Sequence, residues 1–99
     1  MTFGMVVELS VAPGHMDDVL AVFESVMPRV RSEDGCLAFS IFPSTTDPLT
    51  VFLYESYVSE RYHDEVHESF DEVKNVLAQL PQHLAAPWVI HQGDHVLAL

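Results

Sequence analysis

The sequence predicts a single α+β domain whose elements follow the order strand, helix, strand, strand, helix, strand. Three observations predict it. Short segments rich in β-branched and aromatic residues read as strands. Two longer segments repeat apolar residues every three or four positions. Between them fall clusters of Pro, Gly, Ser and Asp, which is turn chemistry. A chain of 99 residues supports one hydrophobic core, so residues 1–99 are read as one domain.

Met5 to Val11 reads as the first strand, with Met5, Val7, Leu9 and Val11 on one face. Ala12-Pro13-Gly14 ends it as a turn. Met16, Val19, Leu20, Phe23, Val26, Met27 and Val30 then fall at helical spacing, and Asp17 and Asp18 occupy the first turn, where carboxylates complement the helix dipole. Pro28 is expected to kink the last turns, and Gly35 to terminate the helix. Cys36 to Phe42 is the second strand, with Leu37, Phe39 and Ile41 on one face; Pro43 to Pro48 is a loop.

Leu49 to Tyr57 is the third strand. Val51, Leu53, Glu55 and Tyr57 share one face and Phe52, Tyr54 and Ser56 the other. Both faces are largely apolar, so helices are expected to cover one and a second subunit the other. Ser59 is a natural N-cap for one long second helix with the stripe Tyr62, Val66, Phe70, Val73, Val76 or Leu77, and Leu80, stopped by Pro81. Pro87 to Val96 gives the last strand. This order is the ferredoxin-like βαββαβ pattern, with both helices on one face of an antiparallel sheet.

Fifteen acids against four bases give a net charge of −11. Such a surface repels phosphate backbones and anionic lipid, so neither nucleic acid nor membrane is an expected partner. No apolar run approaches the length of a membrane span, and no secretion signal is read at the N-terminus. Cys36 is the only cysteine, which fits a reducing cytoplasm. No dinucleotide or phosphate-binding glycine motif, no Cys–His metal spacing and no G-x-S-x-G motif is present, so no nucleotide cofactor and no metal are expected.

The sharpest local feature is His63-Asp64-Glu65-Val66-His67. It approaches the zinc-protease pattern H-E-x-x-H, but Asp64 replaces the glutamate and no third ligand is evident. Two histidines four apart on a helix can also chelate a cation, and the plainer reading is a pair of helix-edge histidines. His67, beside Val66 and Phe70, is placed to face a pocket between helix and sheet and to act as a base near neutral pH; a packed, hydrogen-bonded histidine is the competing reading. Tyr57 can orient a substrate there, or be an aromatic whose hydroxyl reaches the surface.

These residues together resemble a known family. Val11-Ala12-Pro13-Gly14 precedes the first helix; Arg31, Glu33, Gly35, Cys36 and Leu37 follow as R-x-E-x-G-C-L; Tyr54-Glu55-Ser56-Tyr57 closes the third strand; His67 and Ser69 follow on the second helix; and Leu80 and Pro87 bracket the approach to the last strand. From about residue 5 to 92 the pattern resembles the antibiotic biosynthesis monooxygenase (ABM) domain family. The resemblance implies a homodimer, specifically a dimeric α+β barrel, with a pocket between each sheet and its own helices. It also implies cofactor-independent oxidation of quinols, anthrones or related compounds, while other relatives isomerise phosphorylated sugars or degrade haem.

The chain departs from the family pattern in places. Tyr57 stands where the strand motif usually ends in tryptophan. Phe70, Glu72 and Val73 replace the proline, histidine and aromatic that often follow the helix histidine and serine. Val7 stands where haem-degrading relatives need an asparagine, so haem degradation is not expected. Glu72 in place of a histidine, together with the scarcity of cations, argues against a phosphosugar isomerase.

The expectation is therefore a small aromatic substrate and dioxygen. His67 would remove a proton, Tyr57 would orient the substrate or its anion, and Val7, Leu9, Phe39 and Phe70 would form the apolar wall. Tyr62 and His63 would sit near the mouth. Whether His63 or His67 faces the pocket stays open, as do an isomerase of a small carbonyl compound and a non-catalytic metabolite-binding protein.

Overall fold

The computed structural model describes residues 1–98. Four strands, β1 (Phe3–Ser10), β2 (Cys36–Pro43), β3 (Thr50–Tyr57) and β4 (Val89–Asp94), form one antiparallel sheet in the order β2-β3-β1-β4. The helices are α1 (Met16–Arg31), α2 (Glu60–Glu65) and α3 (Asp71–Gln79), with single 3₁₀ turns at His67–Ser69 and Leu80–His83. This is the ferredoxin-like α+β arrangement that the order of elements predicts. No helix among the described residues is long and apolar enough to cross a membrane.

Register explains the core. Phe3, Met5, Val7 and Leu9 stand opposite Tyr57, Glu55, Leu53 and Val51, and all eight are buried. From α1, Val19, Val22, Phe23, Val26 and Val30 pack against this face, joined by Val73, Val76 and Leu80. Full burial of each such side chain is worth about 1.5–3 kcal/mol. The other face keeps Val6, Phe42 and Val89 substantially exposed, with the Phe42 and Phe52 rings 5.6 Å apart.

Several boundaries differ from the sequence-based expectation, each for a local reason. The first strand begins at Phe3, and Val11 leaves it to make an isolated bridge with Leu84. Helix α1, by contrast, runs through Pro28 to Arg31 as its apolar spacing predicts. Pro28 and Glu24, the residue whose carbonyl loses its partner, are both exposed, so water can take up the freed acceptor. The helix ends before Gly35, which has no positive φ; among the described residues only Gly14, in the predicted turn, has one. Gly35 is required for space instead, because a Cβ there would run into the Tyr62 ring. A bulge between Cys36 and Ala38 turns Leu37 outward, away from the face of Phe39 and Ile41. The last strand is shorter than expected, Val89–Asp94.

The largest correction is the second helix, which is broken rather than continuous. Ser59 caps α2 as expected, its hydroxyl accepting from the Tyr62 N–H at 3.0 Å. The helix nevertheless stops at Glu65, and Phe70 adopts extended backbone at φ −70°, ψ 137° before α3 begins. Ser69 Oγ donates to the Val66 carbonyl at 2.6 Å, the local side-chain bond by which serine competes with helix continuation. The break turns the His67 ring inward and lays the Phe70 ring under the Arg29 guanidinium, 4.5 Å from it. It also removes the one-helix spacing on which an i, i+4 metal chelate by His63 and His67 depends.

Gly35→Ala tests the packing that places Tyr62. The added methyl must displace a ring whose hydroxyl donates to Glu33. We expect a loss of about 1–3 kcal/mol in denaturant unfolding; unchanged stability would show that Tyr62 is free to move aside.

Candidate functional site

Three buried polar side chains converge behind the sheet. Glu33 lies just beyond α1, Glu55 points from β3 toward the helices, and His67 sits in the break between α2 and α3; each is under 10% exposed, at 8%, 6% and 3%. A carboxylate carried into such surroundings loses several kcal/mol of hydration, so its retention calls for partners. Every buried side-chain polar atom among the described residues has one.

His67 Nδ1 lies 3.1 and 2.9 Å from the two oxygens of Glu33. A carboxylate there accepts, so Nδ1 carries the ring proton and donates. In the neutral ring Nε2 is then left with its lone pair. Nε2 lies 3.7 Å from Glu55 Oε1, too far for a hydrogen bond. Glu33 is held in turn by the Tyr62 hydroxyl, which donates to it at 3.1 Å. Burial pushes the Glu55 carboxyl above the ordinary range, against a lowering from the Tyr57 hydroxyl that donates to it and from His67 and His63. Burial, and then the Glu55 charge, push the Tyr57 phenol far above its usual value. Tyr57 is therefore a proton donor to Glu55 and not an acid near neutral pH.

A cavity of about 230 Å³ is lined by Glu55 and His67 of this cluster. Its wall is apolar over most of its extent, with Val7, Leu9, Phe23, Leu53, Val76 and Trp88, and polar where Glu55, His63, Asp64, His67 and Glu68 meet Gln92. An apolar cavity of ~150 Å³ suffices for benzene, so there is room here for more than one unsubstituted ring.

The structure brings five of the expected residues to this wall: Val7, Leu9, Phe39, His63 and His67. Both histidines face the cavity, their rings stacked with centroids 5.6 Å apart, and His63 Nδ1 is paired with Asp64 at 2.8 Å. Tyr57, Tyr62 and Phe70 lie off the wall. Tyr57 is fully buried behind it, its ring 4.8 Å from that of His67 and its hydroxyl committed to Glu55. Tyr62 buttresses Glu33, and Phe70 packs under Arg29.

The polar and aromatic site residues missed by sequence reasoning include Glu33, Glu55, Glu68, Trp88 and Gln92. Glu55 had a legible signal, an acid on the apolar face of a strand. Glu33 had none from periodicity, because it lies between elements. Cys36, half-buried nearby, has its thiol pushed up to about 11 by burial and by Glu33 and Glu55, which leaves it protonated and inert.

Comparison with known proteins agrees with this architecture. The structure of Rv0793 from Mycobacterium tuberculosis superposes with a TM-score of 0.90 at 20% identity, covering 99% of this chain and 98% of that one. A candidate antibiotic biosynthesis monooxygenase from Caulobacter crescentus CB15 gives 0.88 at 27% identity, covering 97% and 91%. A crystal structure of an antibiotic biosynthesis monooxygenase gives 0.84 at 19% identity, covering 96% and 99%. No curated protein matches the sequence significantly. The family model for antibiotic biosynthesis monooxygenase matches residues 2–87, and the chain belongs to that family.

Proposed function

We propose that this protein is a cofactor-independent monooxygenase of a small phenolic, quinol or anthrone-type substrate, with His67 as its base. The observation that carries the reading is the His67–Glu33 pair. Glu33 holds Nδ1–H, which fixes the ring and leaves a basic Nε2 at the polar part of a largely apolar cavity wall. The family supports the same reaction class.

In this mechanism the substrate lies along the apolar wall with its acidic O–H or C–H toward His67 Nε2. His67 takes that proton and Glu33 stabilises the imidazolium. The substrate anion gives one electron to dioxygen, and the resulting radical and superoxide combine to form the C–O bond of a peroxide. Loss of water, with the proton returned from His67, leaves a carbonyl: one oxygen atom enters the product and the other leaves as water. Tyr57 acts through Glu55, whose orientation it fixes, and not on the substrate. Dioxygen and the aromatic substrate are the only reactants this scheme needs, and a lone inert thiol suits work in the cytoplasm.

One observation favours a second reading. Burial disposes Glu55 to hold a proton, and it stands 3.7 Å from the basic Nε2. An acid and a base so placed suit proton transfer within a small carbonyl compound, that is, an isomerase.

Oxygen uptake by metal-stripped protein, offered a panel of quinols and anthrones, separates the two. We expect uptake to fall by about 100-fold or more in His67→Ala, the range for loss of a general base, with a smaller fall in Glu33→Gln. Turnover of His67→Ala at the wild-type rate would remove His67 from the mechanism. Proton exchange into a carbonyl substrate without oxygen uptake would favour the isomerase.

We also propose that the chain works as a homodimer paired through the outer face of the sheet, where Val6, Phe42 and Val89 stand exposed beside Phe52 and Tyr54. Sedimentation at micromolar concentration should give a dimer that Phe42→Glu weakens; a wild-type monomer would contradict the pairing.

A further inference from the structure

Away from the cavity, three metal-ligating side chains from distant parts of the sequence meet. His15 immediately precedes α1, Asp18 lies in its first turn, and His83 ends the turn Leu80–His83. The two imidazoles face each other with Nδ1 atoms 3.0 Å apart. Asp18 Oδ2 lies 3.2 Å from His15 Nδ1 and 3.8 Å from His83 Nδ1. A tetrahedral zinc ion with bonds of ~2.0–2.1 Å holds its ligand atoms ~3.3–3.4 Å apart, which falls within the edges of this triangle. Two Nδ1 atoms at 3.0 Å require that one carries a proton and donates it to the other, or that both lone pairs converge on a shared cation. The Asp18 carboxylate at the same spot supplies a third ligand atom for the cation.

We propose that His15, Asp18 and His83 bind one divalent transition-metal ion, zinc being the natural occupant of an N, N, O ligand set with a fourth position open to water. The backbone holds the ligands in place without the ion. The Ala12 N–H donates to the His83 carbonyl at 3.0 Å, and the Ala12 carbonyl accepts from the His15 N–H at 3.0 Å, so one residue anchors both histidines. The positive end of α1 opposes a cation, but Asp17 and Asp18 in its first turn offset it. The net charge of −11 draws cations to the whole surface. None of the three side chains lines the catalytic cavity. The ion's role is a clip: it ties the start of α1 to the segment that leads into β4, across 68 positions of sequence.

Equilibrium dialysis of the metal-stripped full chain against Zn²⁺, with thermal unfolding alongside, tests the site. We expect one Zn²⁺ per chain and a higher Tm with zinc. His15→Ala and His83→Ala should each weaken binding by more than about 100-fold, beyond the ~10–100-fold cost of losing an outer-shell partner, and should abolish the Tm shift. His63→Ala should retain both. If His83→Ala does not fold, Asp18→Asn, at an exposed position, gives the same reading through weakened binding. No Zn²⁺ uptake by the wild type would overturn the proposal. So would uptake and a Tm shift that survive His15→Ala, which would move the ion elsewhere, the His63, Asp64 and Glu68 cluster included.

Discussion

The contact between His67 and Glu33 organises this molecule. It joins the segment after α1 to the break after α2, and both groups are almost wholly withdrawn from water. Burying an ionised carboxylate costs several kcal/mol, which only partners with good geometry offset. Glu33 therefore needs the His67 N–H and the Tyr62 hydroxyl, and His67 needs a chain that turns inward where a continuous helix would carry it past. The broken helix, the space kept by Gly35 and the seat of Tyr62 together supply the partners of this one acid.

The rest of the sheet turns that pair into a site. β3 carries Val51 and Leu53 into the core and then, with the same two-residue period, delivers Glu55 and Tyr57 to the same face. The apolar wall ends where these groups begin. In the proposed mechanism a substrate in the cavity meets hydrocarbon over most of its surface and His67 at the polar part of the wall, where the imidazolium formed by proton transfer faces the developing anion. Buried acids and histidines do little for stability when apolar residues could fill the same space, so their clustering at a cavity mouth points to chemistry.

Most of the fold was legible because it depends on periodicity. Alternation in residues 5–11 and 50–57 and the three-and-four spacing of α1 determine the sheet and its covering helix. The break in the second helix was not legible. The stripe from Tyr62 to Leu80 keeps helical spacing on both sides of it; Ser69 closes the local bond at the break, but the partner that holds His67 inward there, a buried acid 34 positions upstream, is tertiary. The same reason hid Glu33 as a site residue. Tyr57 was correctly set on the helix-facing side of its strand, but sequence cannot show that its hydroxyl is taken by Glu55. The His15–Asp18–His83 cluster was invisible for the plainest reason: its halves lie in different segments and meet only in the folded chain.

The role of His67 is tested most directly by its ring tautomer at neutral pH, read from histidine ¹⁵N–¹H correlation spectra and assigned with His67→Ala. The expected result is a proton on Nδ1, held by Glu33, and a bare Nε2 facing the cavity. A proton resident on Nε2, with Nδ1 bare, would mean that Glu33 does not hold the ring as described. The basic nitrogen would then face away from any substrate, and His67 could not be the base.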